Sequence, residues 1–249
     1  MFTNKVKEKI QKQELTQGAI TSLYSPALVE MLGYAGYEFI VIDDEHGAYS
    51  GSEMEDMIRT SQLAGIVPIV RVSYDASSIQ KALDRGAFGI QVPMVNTVED
   101  AEKAVSLAKY PPRGSRGTAF SMRAAGFGFL NNGQFMDDSD DNILVTVQIE
   151  TMEAVEHFKE IMSVPGVDMA FLGPTDLSVN MGYKKNIGGP EVQETLDSLY
   201  EQAKEMNVPI GTIATSQAET EAVTKKGAVF VSLVLTTLIK KSLNDSLIR

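Results

Sequence analysis

Short apolar runs rich in β-branched residues alternate along the chain with stretches whose apolar positions recur every three or four residues. The first pattern predicts buried strands, the second amphipathic helices, and their alternation predicts a parallel sheet. Strands are expected at 18–21, 39–42, 68–71, 89–92, 143–149, 169–172, 208–214 and 229–233. A helix carrying Val6 and Ile10 precedes the first strand. Ser25 and Pro26 start the next, through Leu28, Val29 and Leu32 to Gly33. Ser52 is expected to cap a helix through Met54, Met57, Ile58 and Leu63, and Thr97 with Asp100 forms a capping pair for another. Further helices are expected at 76–83, through Val155, Phe158 and Ile161, at 192–206, and from Glu219. Leu235, Leu238, Ile239, Leu243 and Leu247 mark a terminal helix.

One stretch breaks the alternation. Residues 110–142 are rich in Gly, Pro and Asp and read as a long irregular segment carrying Arg113, Arg116 and Arg123. Its Phe120, Phe127, Phe129 and Leu130 argue against full disorder. Eight strands with intervening helices, no linker and no shift in composition predict one domain over 1–249. The expected architecture is an α/β fold, a (β/α)8 TIM barrel. An open doubly wound sheet is the alternative, but it requires a glycine-rich phosphate turn after the first strand, and that turn is missing.

Composition narrows the chemistry. With a net charge of -11 and a pI near 4.7, the surface repels nucleic acid and anionic membranes. No cysteine is present, so disulfides, thiolate metal sites and cysteine nucleophiles are excluded. No apolar run is long enough to span a bilayer, and the N-terminal residues lead into a charged stretch instead of an apolar signal core. A cytoplasmic address is the resulting expectation.

Polar groups collect where the strands end. Asp43, Asp44, Glu45 and His46 follow the second strand, Arg71 ends the third, Gln148 and Glu150 close the fifth, and Gly173 and Asp176 follow the sixth. In a barrel the carboxyl ends of the strands carry the active site. Glu150 and Asp176 would end neighbouring strands. Two carboxylates there, without cysteine, suit a hard divalent ion; the competing readings are a lysine-bridged pair and Asp176 as a helix N-cap. Arg71 matches a substrate carboxylate by paired hydrogen bonds, or else an ion pair with Asp43, Asp44 or Asp84. His46 is a base near neutral pH if Asp43 fixes its tautomer, or else a structural histidine. His157, the second of two histidines, reads as a surface residue within a helix.

The segments Ile42-Asp-Asp-Glu-His-Gly47, Val70-Arg71, Leu83-Asp-Arg-Gly86, Val92-Pro-Met-Val95, Tyr110-Pro-Pro-Arg-Gly-Ser-Arg-Gly117, Gln148-Ile-Glu150 and Gly173-Pro-Thr-Asp-Leu-Ser178 occur in this order. Together they resemble the HpcH/HpaI aldolase/citrate lyase family, the metal-dependent class II pyruvate aldolases. The resemblance implies a barrel holding Mg2+, Mn2+ or Co2+ on Glu150 and Asp176. It implies that Gln148 contacts the oxo acid, that Arg71 binds it and stabilises the enolate, and that backbone around Gly173, Pro174 and Thr175 meets its carboxylate. His46, paired with Asp43, would serve the aldol proton transfer through water. Two departures stand out: Thr175 replaces a frequent Ala, and Val231-Ser-Leu-Val-Leu-Thr-Thr237 lacks a common Gly-x-Asp before the last helix.

The expected activity is aldol cleavage or condensation of a 4-hydroxy-2-oxo acid to pyruvate and an aldehyde. A second reading keeps the site and condenses acetyl-CoA with oxaloacetate, as in a citrate synthase of siderophore pathways. A third is a non-catalytic barrel that binds a ligand. The expected partners are thus a small 2-oxo acid with an aldehyde or acyl-CoA. The resemblance also implies a homo-oligomer, a dimer-based hexamer in which the last helix is exchanged between subunits.

Overall fold

The computed structural model describes residues 3–184 and 186–248; Met1, Phe2, Lys185 and Arg249 of the expected 1–249 domain lie outside the described residues. Eight strands close into a barrel in sequence order: β1 Thr16–Thr21, β2 Phe39–Asp43, β3 Val67–Arg71, β4 Gly89–Val92, β5 Leu144–Ile149, β6 Met169–Leu172, β7 Ile210–Ala214 and β8 Ala228–Val234. All neighbouring pairs are parallel. The open doubly wound alternative is thereby excluded.

Twelve α-helices surround the barrel among the described residues. They are α1 Lys5–Gln11, α2 Pro26–Tyr34, α3 Gly51–Leu63, α4 Ala76–Asp84, α5 Val98–Ala108, α6 Asn132–Asn142, α7 Met152–Glu156, α8 Phe158–Met162, α9 Pro174–Asn180, α10 Pro190–Met206, α11 Gln217–Lys226 and α12 Leu235–Asp245.

Successive strand residues face opposite sides, which divides the core in two. Ile40, Ile42, Val70, Ile90, Val145, Val147, Leu172 and Val231 pack outward against helices. Phe39, Val41, Ile69, Leu144, Met169, Phe171 and Phe230 fill the lumen, where Phe39 and Phe230 stack at 3.8 Å between ring centroids. Gly18 makes that stack feasible, since a Cβ there would come within 2.2 Å of the Phe39 ring. Val6 and Ile10 of α1 plug the amino-terminal end of the lumen. Asn4 fastens the plug by donating to the carbonyls of Phe88 (2.7 Å) and Asn142 (3.0 Å). The opposite end is therefore the open one.

Three local expectations are corrected. The N-cap of α3 is Ser50, not Ser52: Ser50 Oγ accepts from the Glu53 amide (3.3 Å), and the Glu53 carboxylate accepts from the Ser50 amide (2.7 Å), a reciprocal pair. The 110–142 segment is not irregular throughout. It contains a 3-10 stretch, Arg123–Gly128, and then α6, capped by Asn131. The sequence of α6, Asn-Gly-Gln-Phe-Met-Asp-Asp-Ser-Asp-Asp-Asn, has too few apolar residues to show a helical period, and Phe135 alone supplies a large buried apolar side chain. The helix expected through Val155, Phe158 and Ile161 is broken at His157 into α7 and α8. His157 is exposed, as expected, with Nδ1 3.1 Å from the Asn96 carbonyl.

Candidate active site

β2, β3, β5 and β6 deliver their last residues to the open mouth of the barrel. Asp43 and Arg71 are register partners on β2 and β3. Outward-facing Ile42 and Val70 anchor their strands in the helix layer, so alternation turns Asp43 and Arg71 inward. Asp43 is 5% exposed and accepts from Arg71 Nε (2.9 Å) and Nη2 (2.8 Å), a two-pronged ion pair. Glu45 Oε2 lies 3.3 Å from the same Nε. Burial alone would lower the arginine's pKa, but the hydrogen bonds and charge of Asp43, with Glu45 and Glu150, raise it. Arg71 Nη1 has no protein partner among the described residues, which leaves that edge of the fork for a ligand.

The arrangement around His46 differs from the expected one. Asp43 Oδ1 accepts from the His46 backbone amide (3.2 Å) as well as from Arg71, and the imidazole ring makes no hydrogen bond to Asp43 among the described residues. The ring instead has Nε2 3.8 Å from Glu45 Oε1. Glu45 is thus a hub, reached also by the Tyr74 hydroxyl at 2.9 Å. Neither Glu45 nor Tyr74 was assigned a role from the sequence. Glu45 had a signal, its place in the Asp-Asp-Glu-His run; Tyr74 had none.

Glu150 is 3% exposed at the end of β5, and its Oε1 accepts from the Met94 amide at 2.7 Å. Met94 adopts a left-handed φ of 54° to aim that amide. Gly173 packs against the other side: a Cβ there would meet Glu150 Oε2 and Cβ at 2.9 Å. Burial pushes the Glu150 carboxyl up to about 7, against the Met94 hydrogen bond and aided by the charges of Asp176 and Glu45. Asp176 lies in the first turn of α9, whose N-cap is Gly173, so the N-cap reading of Asp176 is excluded. Among the described residues no lysine pairs with Glu150 or Asp176, so no lysine bridge is formed there, and the cationic charge that acts on Glu150 is that of Arg71. A buried carboxylate, a second carboxylate and no neutralising lysine form a donor set that fits a hard divalent cation. The two do not belong to any cluster of three or more carboxylates, histidines or cysteines with ligand spacing among the described residues. A cation held here would therefore complete its shell with water or substrate oxygens.

A cavity of about 290 Å3 opens at this mouth. Asp43, His46, Arg71, Gln148, Gly173, Pro174, Thr175 and Asp176 all line it, and Glu150 borders it behind Gly173. Gln148 is 2% exposed, with Oε1 sealed from solvent and without a hydrogen-bond partner among the described residues. A larger cavity, about 530 Å3, lies at the other end of the barrel beneath Arg123, Phe127 and Leu130 and includes none of these residues.

Comparisons with known proteins find similarity along nearly the whole chain. The family model described as HpcH/HpaI aldolase/citrate lyase matches residues 20–239. A 5-keto-4-deoxy-D-glucarate aldolase of Salmonella paratyphi A is 33% identical over 234 residues, covering 94% of this chain and 91% of that one. A solved HpcH/HpaI aldolase/citrate lyase family protein from Burkholderia cenocepacia superposes with a TM-score of 0.93 at 28% identity, covering 98% of each chain. The solved citrate synthase SbnG gives 0.85 at 27% identity, covering 96% of this chain and 94% of its own.

Proposed function

The chain belongs to the HpcH/HpaI aldolase/citrate lyase family, and on that premise we propose that it cleaves or forms the C3–C4 bond of a 4-hydroxy-2-oxo acid, giving pyruvate and an aldehyde. The supporting observation is the convergence of Arg71, Gln148, Asp176 and His46 on one cavity, with buried Glu150 at its back. The free edge of Arg71 and the amide of Gln148 meet the 2-oxo acid. The main-chain amides of Thr175 and Asp176, in the unsatisfied first turn of α9, face its carboxylate. Glu150 and Asp176 hold a divalent cation (Mg2+, Mn2+ or Co2+), which when bound supplies Lewis acidity to the oxo acid.

In cleavage, His46 takes the C4 hydroxyl proton through a water. The C4–O electrons form the aldehyde carbonyl, and the C3–C4 electrons pass to the oxo acid as its enolate. Arg71 offsets the charge that develops on the enolate. Glu45, 3.8 Å from His46 Nε2, stabilises the imidazolium. The enolate then takes a solvent proton at C3 to become pyruvate. Loss of the C3 protons of pyruvate to D2O, dependent on added Mg2+ or Mn2+, tests this reading. A protein that exchanges no pyruvate protons with any divalent cation would overturn it.

A second reading, condensation of acetyl-CoA with oxaloacetate, rests on the likeness to SbnG. Pyruvate release from a panel of 4-hydroxy-2-oxo acids, run beside acetyl-CoA plus oxaloacetate, separates the two. The non-catalytic reading is dropped, since the chain belongs to an aldolase family.

We also propose a homo-oligomer that exchanges α12. Only Leu235 of this helix is buried; Leu238 and Ile239 are half-buried and Leu243 (61% exposed) lies open, and Leu247 (62%) and Ile248 (103%), expected to continue the stripe, lie open past the helix end at Asp245. Such a stripe requires cover, and a second copy of the chain supplies it.

A further inference from the structure

The lumen just below the site holds polar groups that the proposed chemistry does not use. Gln91 is 1% exposed at the centre of β4, and neither its Nε2 nor its Oε1 has a hydrogen-bond partner among the described residues. Its neighbours Ile90 and Val92 face the helix layer, so its side chain points into the lumen. Thr146 Oγ1 and Gln148 Oε1 on β5 are in the same condition. Their outward neighbours Val145, Val147 and Ile149 turn them to the same side. Gln91 is the register partner of Arg71 on one side and of Thr146 on the other, about 4.8 Å away by strand spacing. Gln148 stands two residues further along β5, on the same face.

An amide with both ends buried and unsatisfied is too costly to persist in an apolar lumen. Gln148 adds a directional demand. It lines the cavity while its Oε1 is sealed, so its Nε2 is the end that meets a ligand. That orientation holds only if Oε1 accepts a hydrogen bond from below. Gln91 Nε2 is the buried amide donor in that direction, and the gap of two residues along the strand suits one water between them.

We infer that Gln91 is a positioning residue: through an internal water it fixes the amide of Gln148 so that Nε2 faces the 2-oxo acid. The inference rests on the proposed role of Gln148. If Gln148 turned over, it would present a carbonyl oxygen to an anionic ligand, so the orientation controls affinity. Gln91→Leu keeps the approximate volume and removes the donor.

The test compares wild type, Gln91→Leu and Thr146→Val in Mg2+-dependent pyruvate proton exchange. The inference expects the pyruvate KM of Gln91→Leu to rise about fivefold, the size of one hydrogen bond, with kcat changed less than about twofold. An unchanged KM would overturn it, as would a loss of thermal stability that accompanies equal losses in KM and kcat. A crystal structure of the wild-type protein gives a readout independent of activity. A water or direct bond joining Gln91 Nε2 to Gln148 Oε1 supports the inference even if no pyruvate exchange is found. A Gln91 amide bonded elsewhere overturns it even if exchange is robust.

Discussion

Asp43 and Arg71 end neighbouring strands in register, and one carboxylate grips two nitrogens of one guanidinium at 2.9 and 2.8 Å. The pair is nearly sealed, with side chains 7% and 13% exposed. Asp43 therefore acts on the arginine and leaves the imidazole ring to Glu45. Asp43→Ala should behave like an Arg71 variant, raising the pyruvate KM and lowering stability by roughly 3 kcal/mol as a buried cation loses its main partner. Denaturant midpoints and exchange kinetics check both effects. A variant with normal KM and a collapsed pH–rate profile would restore the histidine-orienting role.

Arg71→Ala and His46→Ala should separate binding from proton transfer. The first removes an oxo-acid contact and enolate stabilisation, so pyruvate exchange and aldol turnover fall together. The second removes the base for the C4 hydroxyl, so aldol turnover falls by about 10²-fold or more while exchange persists. Equal and complete loss of both reactions in His46→Ala would count against this division.

Glu150→Gln and Asp176→Asn each delete one charged oxygen from the cation site while preserving shape. Both should abolish cation-dependent exchange, and calorimetry should show weaker Mn2+ binding. The fold should survive, and Glu150→Gln should be as stable as wild type in chelator, since burial and Asp176 already disfavour the Glu150 charge. Either variant retaining near-normal activity after chelation and metal add-back would mean that the cation sits elsewhere.

Lys109 gives a pH dependence of stability unconnected with the reaction. It is 5% exposed and donates to the carbonyls of Asp140 (2.5 Å) and Ile143 (3.2 Å), near Lys7. Burial first, and then the Lys7 charge, push its pKa down from 10.5 to about 8. Between those values the unfolded chain binds more protons than the folded one, so stability rises with pH across that window. The gain from pH 8 to 9.5 is about 2 kcal/mol at most. Denaturant midpoints at the two pH values should show the rise in wild type and its disappearance in Lys109→Met. A wild-type midpoint that falls over that interval would contradict the assignment.

Truncation after Thr236 removes the exposed stripe of α12. Light scattering should find the full chain assembled and the truncated chain dissociated at micromolar concentration. A monomeric full-length protein, or a truncated chain that keeps its assembly, would end the exchange reading.

The barrel was legible in the sequence because strand and helix periodicities are local signals. Runs such as Phe39-Ile-Val-Ile42 and stripes such as Leu235, Leu238 and Ile239 need no knowledge of distant neighbours. The polar strand ends were legible too, once the barrel placed them on one mouth. Local chemistry misled where signals were weak or duplicated. Ser50 and Ser52 are both plausible caps, and only the Glu53 pairing chooses between them. The sequence of α6 has too little apolar character to show a period.

Pairing across the sheet was beyond the sequence, because it depends on register and on competition for each oxygen. Residues 28 apart determine that Arg71 takes both oxygens of Asp43, while the His46 ring turns its Nε2 to within 3.8 Å of Glu45. Gln91 reads in the sequence as one polar residue within a strand. Only the closed barrel seals its amide beside Arg71 and Thr146, where water from outside cannot satisfy it.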